Sequence, residues 1–297
     1  MSATGRVPDD VDIVLVPLDG SSFSGRAVPV AARLAGKLDA GILLFSAVPT
    51  EDDVAARQAE LAAVVPPCLG PVRRSVVVSL DPAGAIHEQL RQLGRDRALA
   101  CMASHGRGRS AALVGSVATE VVARGHDPVV VVGPHPDEHA SGEAGEAPEH
   151  PGGHGVMVAV DDTPASAALV PIGLGWAELL EEPLTVTTVA EPVPPALRPD
   201  HPARRRFGPD GDVEAFLEGL VAPARQQGHK VEALPLYDPI SPASGLELYL
   251  RDNPATLVVV ASHARTGPTR IVFGSEAADI VRRSPSPVLV VPRPDAR

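Results

Sequence analysis

The chain has 297 residues and a formal net charge of −11, and 44% of its residues are hydrophobic although only 3% are aromatic. This length predicts two domains, and the composition predicts globular domains with a core of Val, Leu, Ile and Ala. The acidity argues against a protein that holds nucleic acid by general charge attraction, and no apolar run reaches the roughly 18 residues of a membrane span.

Both halves of the chain alternate short aliphatic runs with segments of helical spacing. The aliphatic runs lack polar alternation, which is typical of strands buried on both faces of a parallel sheet. Each half is therefore predicted to form an α/β fold with a parallel, doubly wound sheet. In the first half, strands are predicted at Ile13–Pro17, Gly41–Ala47, Val72–Ser79, Leu99–Ser104 and Val129–Val132, and helices at Ser22–Leu38, Thr50–Val65, Ala83–Leu93 and Ser116–Arg124. In the second half, strands are predicted at Val156–Val160, Leu184–Val189, Lys230–Leu236, Leu257–Ser262 and Val288–Val291.

The two halves repeat each other. Near their starts, "IVLVPLDGSSFSGRAVPVAARLA" matches "VMVAVDDTPASAALVPIGLGWA", and Asp19 and Asp161 are 142 positions apart. Pro29 and Pro171 have the same separation, and each is predicted to kink the first helix of its copy. Near their ends, "ASHGRGRSAALVGS" matches "ASHARTGPTRIVFGS". The chain is therefore a duplication.

A stretch rich in Pro, Gly and acidic residues, with no Lys or Arg, separates the two copies. Such a composition cannot bury enough apolar surface to offset the entropy of ordering, so we interpret it as a solvated linker. Its four histidines leave a metal site as the weaker alternative. We predict one domain at 1–133, a linker at 134–154 and a second domain at 155–297 that carries an insertion at Pro192–Asp212.

The two cysteines, Cys68 and Cys101, fit no metal-binding or redox spacing. Acidic residues, Asp9, Asp10 and Asp12, stand where a signal peptide would have its apolar segment. We therefore expect a cytoplasmic protein without a metal site.

An acidic residue follows the first strand of each copy, at Asp19 and Asp161. Ligands of doubly wound sheets bind at the carboxyl ends of the strands, where a carboxylate can accept hydrogen bonds from a ribose hydroxyl or a base. The alternative is that each acid caps the N–H groups of the next helix. Ligand binding is favoured because both copies have the acid.

The tripeptide Ala-Ser-His leaves the fourth strand of each copy, and in the first copy a glycine that allows close approach to a ligand follows it. The alternative is a turn in which Ser bonds its own backbone. A catalytic Ser/His pair is disfavoured, because adjacent residues of an extended segment point to opposite faces and cannot share a hydrogen bond. The candidate residues are Ala103, Ser104, His105 and Gly106 in the first copy, and Ala261, Ser262 and His263 in the second.

Gly-Ser opens the last helix of each copy, at Gly115–Ser116 and Gly274–Ser275. The N–H groups of a first helical turn attract anions, whereas the alternative is an ordinary Ser cap that stabilises the helix by about 1 kcal/mol. An acid, a loop and a helix start that converge on one cleft favour a nucleotide ligand. The P-loop motif of ATPases is absent.

These motifs, with the closing segments "DPVVVVGP" and "SPVLVVP", resemble the universal stress protein family, and both copies match as in its tandem-domain members. The resemblance implies two tandem Rossmann-like domains, each a five-stranded parallel sheet with helices on both faces. It also implies ATP, alone or with Mg, as a cofactor. The ATP-binding branch has Gly, two residues, Gly, nine residues and then Gly-Ser or Gly-Thr, and its base contacts the end of strand two, here Ala47 and Val189.

Both copies depart from that motif. Ala103 replaces the first glycine of the first copy, whose spacer has eight residues, and Ala261 and Ala264 replace both glycines of the second copy. The added methyl group is tolerated where φ is negative and is costly where φ is positive.

Two functions remain open. The first is a stress protein that binds ATP or a related adenine nucleotide with little or no turnover, since the sequence has no dedicated general base or metal cluster. The second is an interaction or scaffold protein on the same fold that binds no nucleotide. The Asp and Gly-Ser of both copies favour the first, and the replaced glycines favour the second.

The last strands, "PVVVV" and "PVLVV", are flat aliphatic segments at a predicted sheet edge, and an open edge invites pairing. We predict that they pair with each other and form a pseudo-twofold unit within one chain, as the resemblance also implies. A homodimer of such chains is expected, with no nucleic acid or membrane partner.

Overall fold

The computed structural model describes residues 11–94, 97–105, 114–125, 127–134, 155–163, 167–190, 212–262 and 274–292. All of the predicted linker except Pro134 lies outside these ranges, and so does the predicted insertion except Asp212.

One sheet contains the ten strands of the described ranges, in the order β3-β2-β1-β4-β5-β10-β9-β6-β7-β8. The five strands of each half run parallel, which confirms the two tandem, five-stranded Rossmann-like sheets. The strands are β1 Ile13–Pro17, β2 Gly41–Val48, β3 Val72–Val78, β4 Ala98–Ala103, β5 Val129–Val132, β6 Val156–Ala159, β7 Leu184–Ala190, β8 Val231–Tyr237, β9 Leu257–Ser262 and β10 Val288–Pro292.

Helices cover both faces of this sheet. In the described ranges they are α1 Ser22–Gly25, α2 Ala27–Lys37, α3 Val54–Ala63, α4 Pro82–Leu93, α5 Ser116–Arg124, α6 Leu169–Leu179, α7 Val213–Gln226, α8 Pro242–Asp252 and α9 Ser275–Arg283. Buried residues of α2, α3, α6 and α7 pack on one face, and those of α4, α5, α8 and α9 pack on the other. None of these helices is both long and apolar enough to cross a lipid bilayer.

The aliphatic runs are explained by burial on both faces. Val14 and Val16 of β1 belong to one core cluster, whereas Ile13 and Leu15 belong to the cluster on the opposite face. Because successive side chains of a strand alternate between faces, a strand covered on both sides must be apolar at every position.

The halves meet where β10 pairs antiparallel with β5. Val288 lies opposite Val131 and Leu289 lies opposite Val130. Val288 and Val131 share one core cluster, and Leu289 and Val130 share the other. The apolar core on each face of the sheet therefore continues from the first half into the second.

The first helix of each copy is interrupted three residues before its proline. The predicted helix Ser22–Leu38 is two helices, α1 and α2, that meet at Arg26. Pro29 lies in the first turn of α2, and Pro171 lies in the first turn of α6. The predicted kink is confirmed, because the helix is interrupted at Arg26, three residues before Pro29, and Ala168, three residues before Pro171, is likewise a turn residue with a helical backbone.

Candidate functional site

A cavity of about 260 Å³ lies at the carboxyl ends of β1, β2 and β4, beside the start of α5. The strand order of the first half reverses between β1 and β4, and this is the place at which doubly wound sheets bind ligands. Six predicted site residues line the cavity together: Asp19, Ala47, Ala103, His105, Gly115 and Ser116. Gly106 lies outside the described residues.

Asp19 organises the turn between β1 and α1. Its Oδ1 accepts hydrogen bonds from the backbone N of Ser21 at 2.9 Å and from Ser21 Oγ at 2.6 Å. The Ser21 hydroxyl in turn caps α1 by accepting from the backbone N of Ser24 at 3.1 Å. The interpretation of Asp19 as a helix cap is therefore wrong, and its carboxylate instead forms part of the cavity wall. Asp161 builds the same turn, since its Oδ1 accepts from the backbone N and the Oγ1 of Thr163.

Ser104 and His105 share a hydrogen bond of 2.7 Å between Oγ and Nδ1. The prediction that these adjacent side chains cannot meet is wrong, because β4 ends at Ala103 and the pair lies in a bend beyond the extended segment. Ser104 is only 1% exposed, so its hydroxyl is not open to a substrate. The pair therefore has the geometry of a structural contact, and a nucleophilic serine stays unsupported.

Hydrogen bonds of the Ser104 backbone link the end of β4 to the start of α5. The Ser104 N–H donates to the carbonyl oxygen of Val132 at 2.8 Å, and its own carbonyl accepts from the N–H of Gly115 at 2.6 Å. These two bonds tie the end of β4 to β5 and to the start of α5. They therefore hold the first turn of α5 at the carboxyl ends of the strands.

The starts of α5 and α9 have no side-chain cap. Gly115 and Gly274 occupy the cap positions, and the serines that follow are the first helical residues, so the interpretation of these serines as caps is wrong. The N–H groups of a first turn have no intrahelical acceptor and carry the positive end of the helix dipole. Ser116, Val117 and Ala118 bring that turn of α5 into the cavity wall. Four other helices, α1, α4, α7 and α8, are capped by the side chains of Ser21, Asp81, Asp212 and Ser241.

The alanines that replace motif glycines are unstrained where the structure describes them. Asp39 and Glu181 are the non-glycine residues with positive φ in the described ranges. Ala103 and Ala261 therefore have backbone conformations that any residue adopts, whereas Ala264 lies outside the described residues. The Ala103 methyl group leaves the cavity open, since Ala103 itself lines it.

The candidate residues of the second copy lie at the corresponding ends of β6, β7 and β9 and at the start of α9. The packing at the end of β7 differs from that at the end of β2. Val189, which stands where the first copy has Ala47, is 9% exposed. A Cβ added at Gly245 of α8 would lie 2.7 Å from Val189 Cγ1, so this helix closely approaches the end of β7. The second-copy candidates are Asp161, Val189, Ala261, Ser262, Gly274 and Ser275, while His263 lies outside the described residues.

The sequence model of the universal stress protein family matches residues 154–292, which contain the whole second sheet half. The second half of the chain belongs to the universal stress protein family. No curated protein sequence matches the chain.

Solved structures of similar fold span both halves of the chain. A universal stress protein from Archaeoglobus fulgidus has a TM-score of 0.64 at 16% identity, and the match covers 98% of this chain and 100% of that chain. A functionally unknown protein from Pseudomonas aeruginosa PAO1 has a TM-score of 0.61 at 17% identity, with 95% and 93% covered. At these identities the similarity concerns the fold alone.

The apolar wall of the cavity was not predicted from the sequence. Phe45 of β2, Ile86 of α4 and Met102 of β4 line it together with the predicted polar residues. All three are buried and belong to the core cluster on one face of the sheet. Their pattern is that of ordinary core residues, so the sequence offers no signal that separates them from the rest of the core.

The described lining carries little charge. It contains Asp19 and His105 as its titratable side chains, and no Lys or Arg. In the described part of the chain no group of three or more His, Cys, Asp or Glu side chains could hold a metal ion. An anionic ligand would therefore be met, within these residues, by the backbone N–H groups of α5.

Proposed function

We propose that the first-half cavity binds ATP or a related adenine nucleotide and holds it with little or no turnover, in a stress-response or regulatory role. The observation that carries this proposal is the meeting of Asp19, Ala47, Ala103, His105 and the uncapped start of α5 in one cavity. Residues from four separate segments of the chain converge there. The carboxylate suits the hydroxyl groups of the sugar, the apolar wall suits the base, and the helix start suits the phosphates.

The dimensions suit the nucleoside part of such a ligand. Small-molecule sites usually occupy about 300–1,000 Å³, and this cavity of about 260 Å³ is slightly smaller. The base would pack against Phe45, Ile86 and Met102, and Asp19 would accept a hydrogen bond from the sugar. The phosphates would lie at the opening, where the first turn of α5 supplies N–H donors.

The two titratable groups of the lining take part in hydrogen bonds that hold the site together. Oδ1 of Asp19 is already engaged by Ser21, and Nδ1 of His105 is engaged by Ser104. A general base needs a lone pair within hydrogen-bond reach of the proton that it removes. These contacts favour positioning roles for both side chains.

The methionines give a direct test of binding. The chain has three, Met1, Met102 and Met157, and Met102 lines the cavity. Protein labelled with ¹³C at the methionine methyl groups is titrated with ATP, AMP, adenosine and GTP in the presence of Mg²⁺. We expect a saturable shift of the Met102 signal with adenine compounds, and Met102→Leu assigns that signal.

Matched variants of the two copies locate the site. Asp19→Asn is expected to weaken adenine-nucleotide binding about tenfold or more, since a charge-assisted hydrogen bond is lost. Asp161→Asn makes the same change in the second copy and is expected to leave the Met102 titration unaltered. If millimolar ATP does not move Met102 and the heated protein releases no adenine nucleotide, the scaffold function is supported instead.

We also propose that the halves act as one tandem pseudo-twofold unit joined through β5 and β10. Because these strands already pair with each other, a homodimer would have to use other surfaces, and β3 and β8 are the outer strands of the sheet. Light scattering of the purified chain distinguishes the 30.7 kDa monomer from a dimer of twice that mass.

A further inference from the structure

A second and larger cavity, of about 380 Å³, lies at the opposite end of the second-half sheet. It forms where β6, β7 and β8 begin, so it faces away from the carboxyl ends that hold the candidate nucleotide residues. Met157, which belongs to the core on one face of the sheet, lines it, and so do Val156, Leu184 and Val231, whose side chains are buried in the core on the other face. The cavity is therefore separate from the candidate nucleotide site.

The first copy has a proline ring at the corresponding place. Val72 pairs with Ile42 in the first half, and Val231 pairs with Leu184 in the second, so Pro71 and Lys230 stand at equivalent positions. A Cβ added at Gly41 would lie 3.1 Å from the ring of Pro71, which shows that this ring packs directly on the start of β2. Replacement of the proline by a long cationic side chain accompanies the open space of the second copy.

Two opposite charges border the cavity without pairing. Lys230 and Glu232 flank the buried Val231 in an exposed–buried–exposed pattern, so both point to the same side of the strand, roughly 6–7 Å apart along it. Within the described part of the chain neither forms an ion pair, whereas the other lysine, Lys37, pairs with Glu182.

Arg225, the other cation of the cavity lining, already has hydrogen-bond partners. Arg225 Nε donates to the carbonyl oxygen of Val231 at 2.8 Å, and its Nη1 lies 2.5 Å from Glu218 Oε2. Arg225 therefore shapes the wall of the cavity, and Lys230 and Glu232 are the charged lining residues that form no ion pair within the described part of the chain.

We propose that this cavity binds a small zwitterion with an apolar body, the class to which the apolar α-amino acids belong. The ligand carboxylate pairs with the Lys230 ammonium group, and the ligand amino group pairs with the Glu232 carboxylate. The apolar body packs against Met157, which lies in the same row of the sheet, and so on the same face, as Glu232. A ligand with both charges satisfies both side chains at once, which a simple acid or a simple amine cannot do. This inference is independent of the nucleotide proposal.

The methyl signal of Met157 serves as a probe of this cavity, as the methyl signal of Met102 does for the first-half cavity. The methyl-labelled full-length protein is titrated to about 10 mM with leucine, and separately with 4-methylpentanoate and with isopentylamine, which each lack one charge. We expect leucine to shift the Met157 signal saturably while Met102 stays in place, and the single-charge analogues to bind about tenfold or more weakly. Met157→Leu assigns the signal.

Charge-removing variants complete the test. Lys230→Met and Glu232→Gln are each expected to weaken leucine binding about tenfold or more, and the exposed-site control Glu51→Gln is expected to leave it unchanged. The proposal is overturned if no probe shifts Met157, if the single-charge analogues bind as well as leucine, or if both variants retain full affinity. Circular dichroism checks that each variant is folded.

Discussion

Ser104 Oγ lies 2.7 Å from Nδ1 of His105, whereas Ser262 Oγ, at the equivalent position of the second copy, is buried with no hydrogen-bond partner in the described part of the chain. Among the described residues, Ser104 therefore has a side-chain hydrogen-bond partner and Ser262 has none. A buried hydroxyl without a partner has a desolvation cost that no bond offsets.

The two serines are predicted to respond oppositely to removal of the hydroxyl. Ser104→Ala should lower the free energy of unfolding by about 1 kcal/mol, because a net contribution of that size is typical of a hydrogen bond. Ser262→Ala should leave stability unchanged or raise it. Urea denaturation followed by circular dichroism measures both, and equal losses in the two variants would contradict the assignment.

The contact between the halves gives a second prediction. A Cβ added at Gly133, just after β5, would lie 2.6 Å from the carbonyl oxygen of Val281 in α9 of the other half. Gly133→Ala should therefore destabilise the protein by about 1–3 kcal/mol, the usual cost of an overpacked site.

Gly219 is the matched control for Gly133. It lies inside α7, and a Cβ added there would meet nothing within 4 Å. Gly219→Ala should raise stability by about 0.5–1 kcal/mol, since alanine is the better helix former. If Gly133→Ala proves as stable as the wild-type chain in the same urea series, the close approach of the halves is not present in solution.

The two cysteines differ in how far their side chains are buried. Cys101 is buried in β4, and this burial raises the pKa of its thiol to about 12, while Cys68 is half-buried. Because the thiolate is the reactive form, only Cys68 should react with Ellman's reagent in the native protein at pH 8, and both should react in denaturant. Cys68→Ser should abolish the native reaction. A fast native reaction of that variant would place Cys101 outside the core.

The strands could be predicted from the sequence because burial on both faces requires apolar residues throughout. β1, β5 and β9 have the predicted bounds, and most other strand ends differ by one residue. The duplication supported the choice of candidate residues, because the aspartate that follows the first strand occurs in both copies, as Asp19 and as Asp161. The break in the first helix at Arg26 lies three residues before Pro29, where the missing N–H of the proline interrupts the helical hydrogen bonds.

The difference in packing around Ala47 and Val189 could not be predicted. Ala47 and Val189 differ by two methyl groups, and whether this closes a cleft depends on how closely the neighbouring helix packs. Gly245 permits that approach in the second copy, and its effect is visible only from the distance to Val189. Likewise, Ser104 and His105 meet because β4 ends one residue earlier than its apolar pattern suggests.

Acid should weaken the fold partly through Asp81. Its Oδ1 accepts from the backbone N of Gly84 at 3.0 Å and its Oδ2 lies 2.7 Å from Arg124 Nη1, and these two hydrogen bonds lower the pKa of the carboxyl below its ordinary 3.8. A carboxyl with a lowered folded-state pKa contributes stability above its unfolded-state value and loses it as the pH falls toward the folded-state value. The contribution of Asp81 should therefore disappear below about pH 4.

Asp81→Asn isolates that contribution. Asparagine caps helices about as well as aspartate, so the start of α4 is retained while the charge that pairs with Arg124 is removed. The variant should lose less stability than the wild-type chain between pH 4.5 and pH 2.5 when urea unfolding is repeated across that range. Asp252→Asn, which removes an exposed carboxylate without an ion pair in the described residues, should keep the wild-type slope. If both variants keep it, the contact between Asp81 and Arg124 does not stabilise the folded state, and the acid sensitivity must come from other carboxylates, such as Glu88, whose pKa the Arg91 and Gln92 hydrogen bonds lower to about 2.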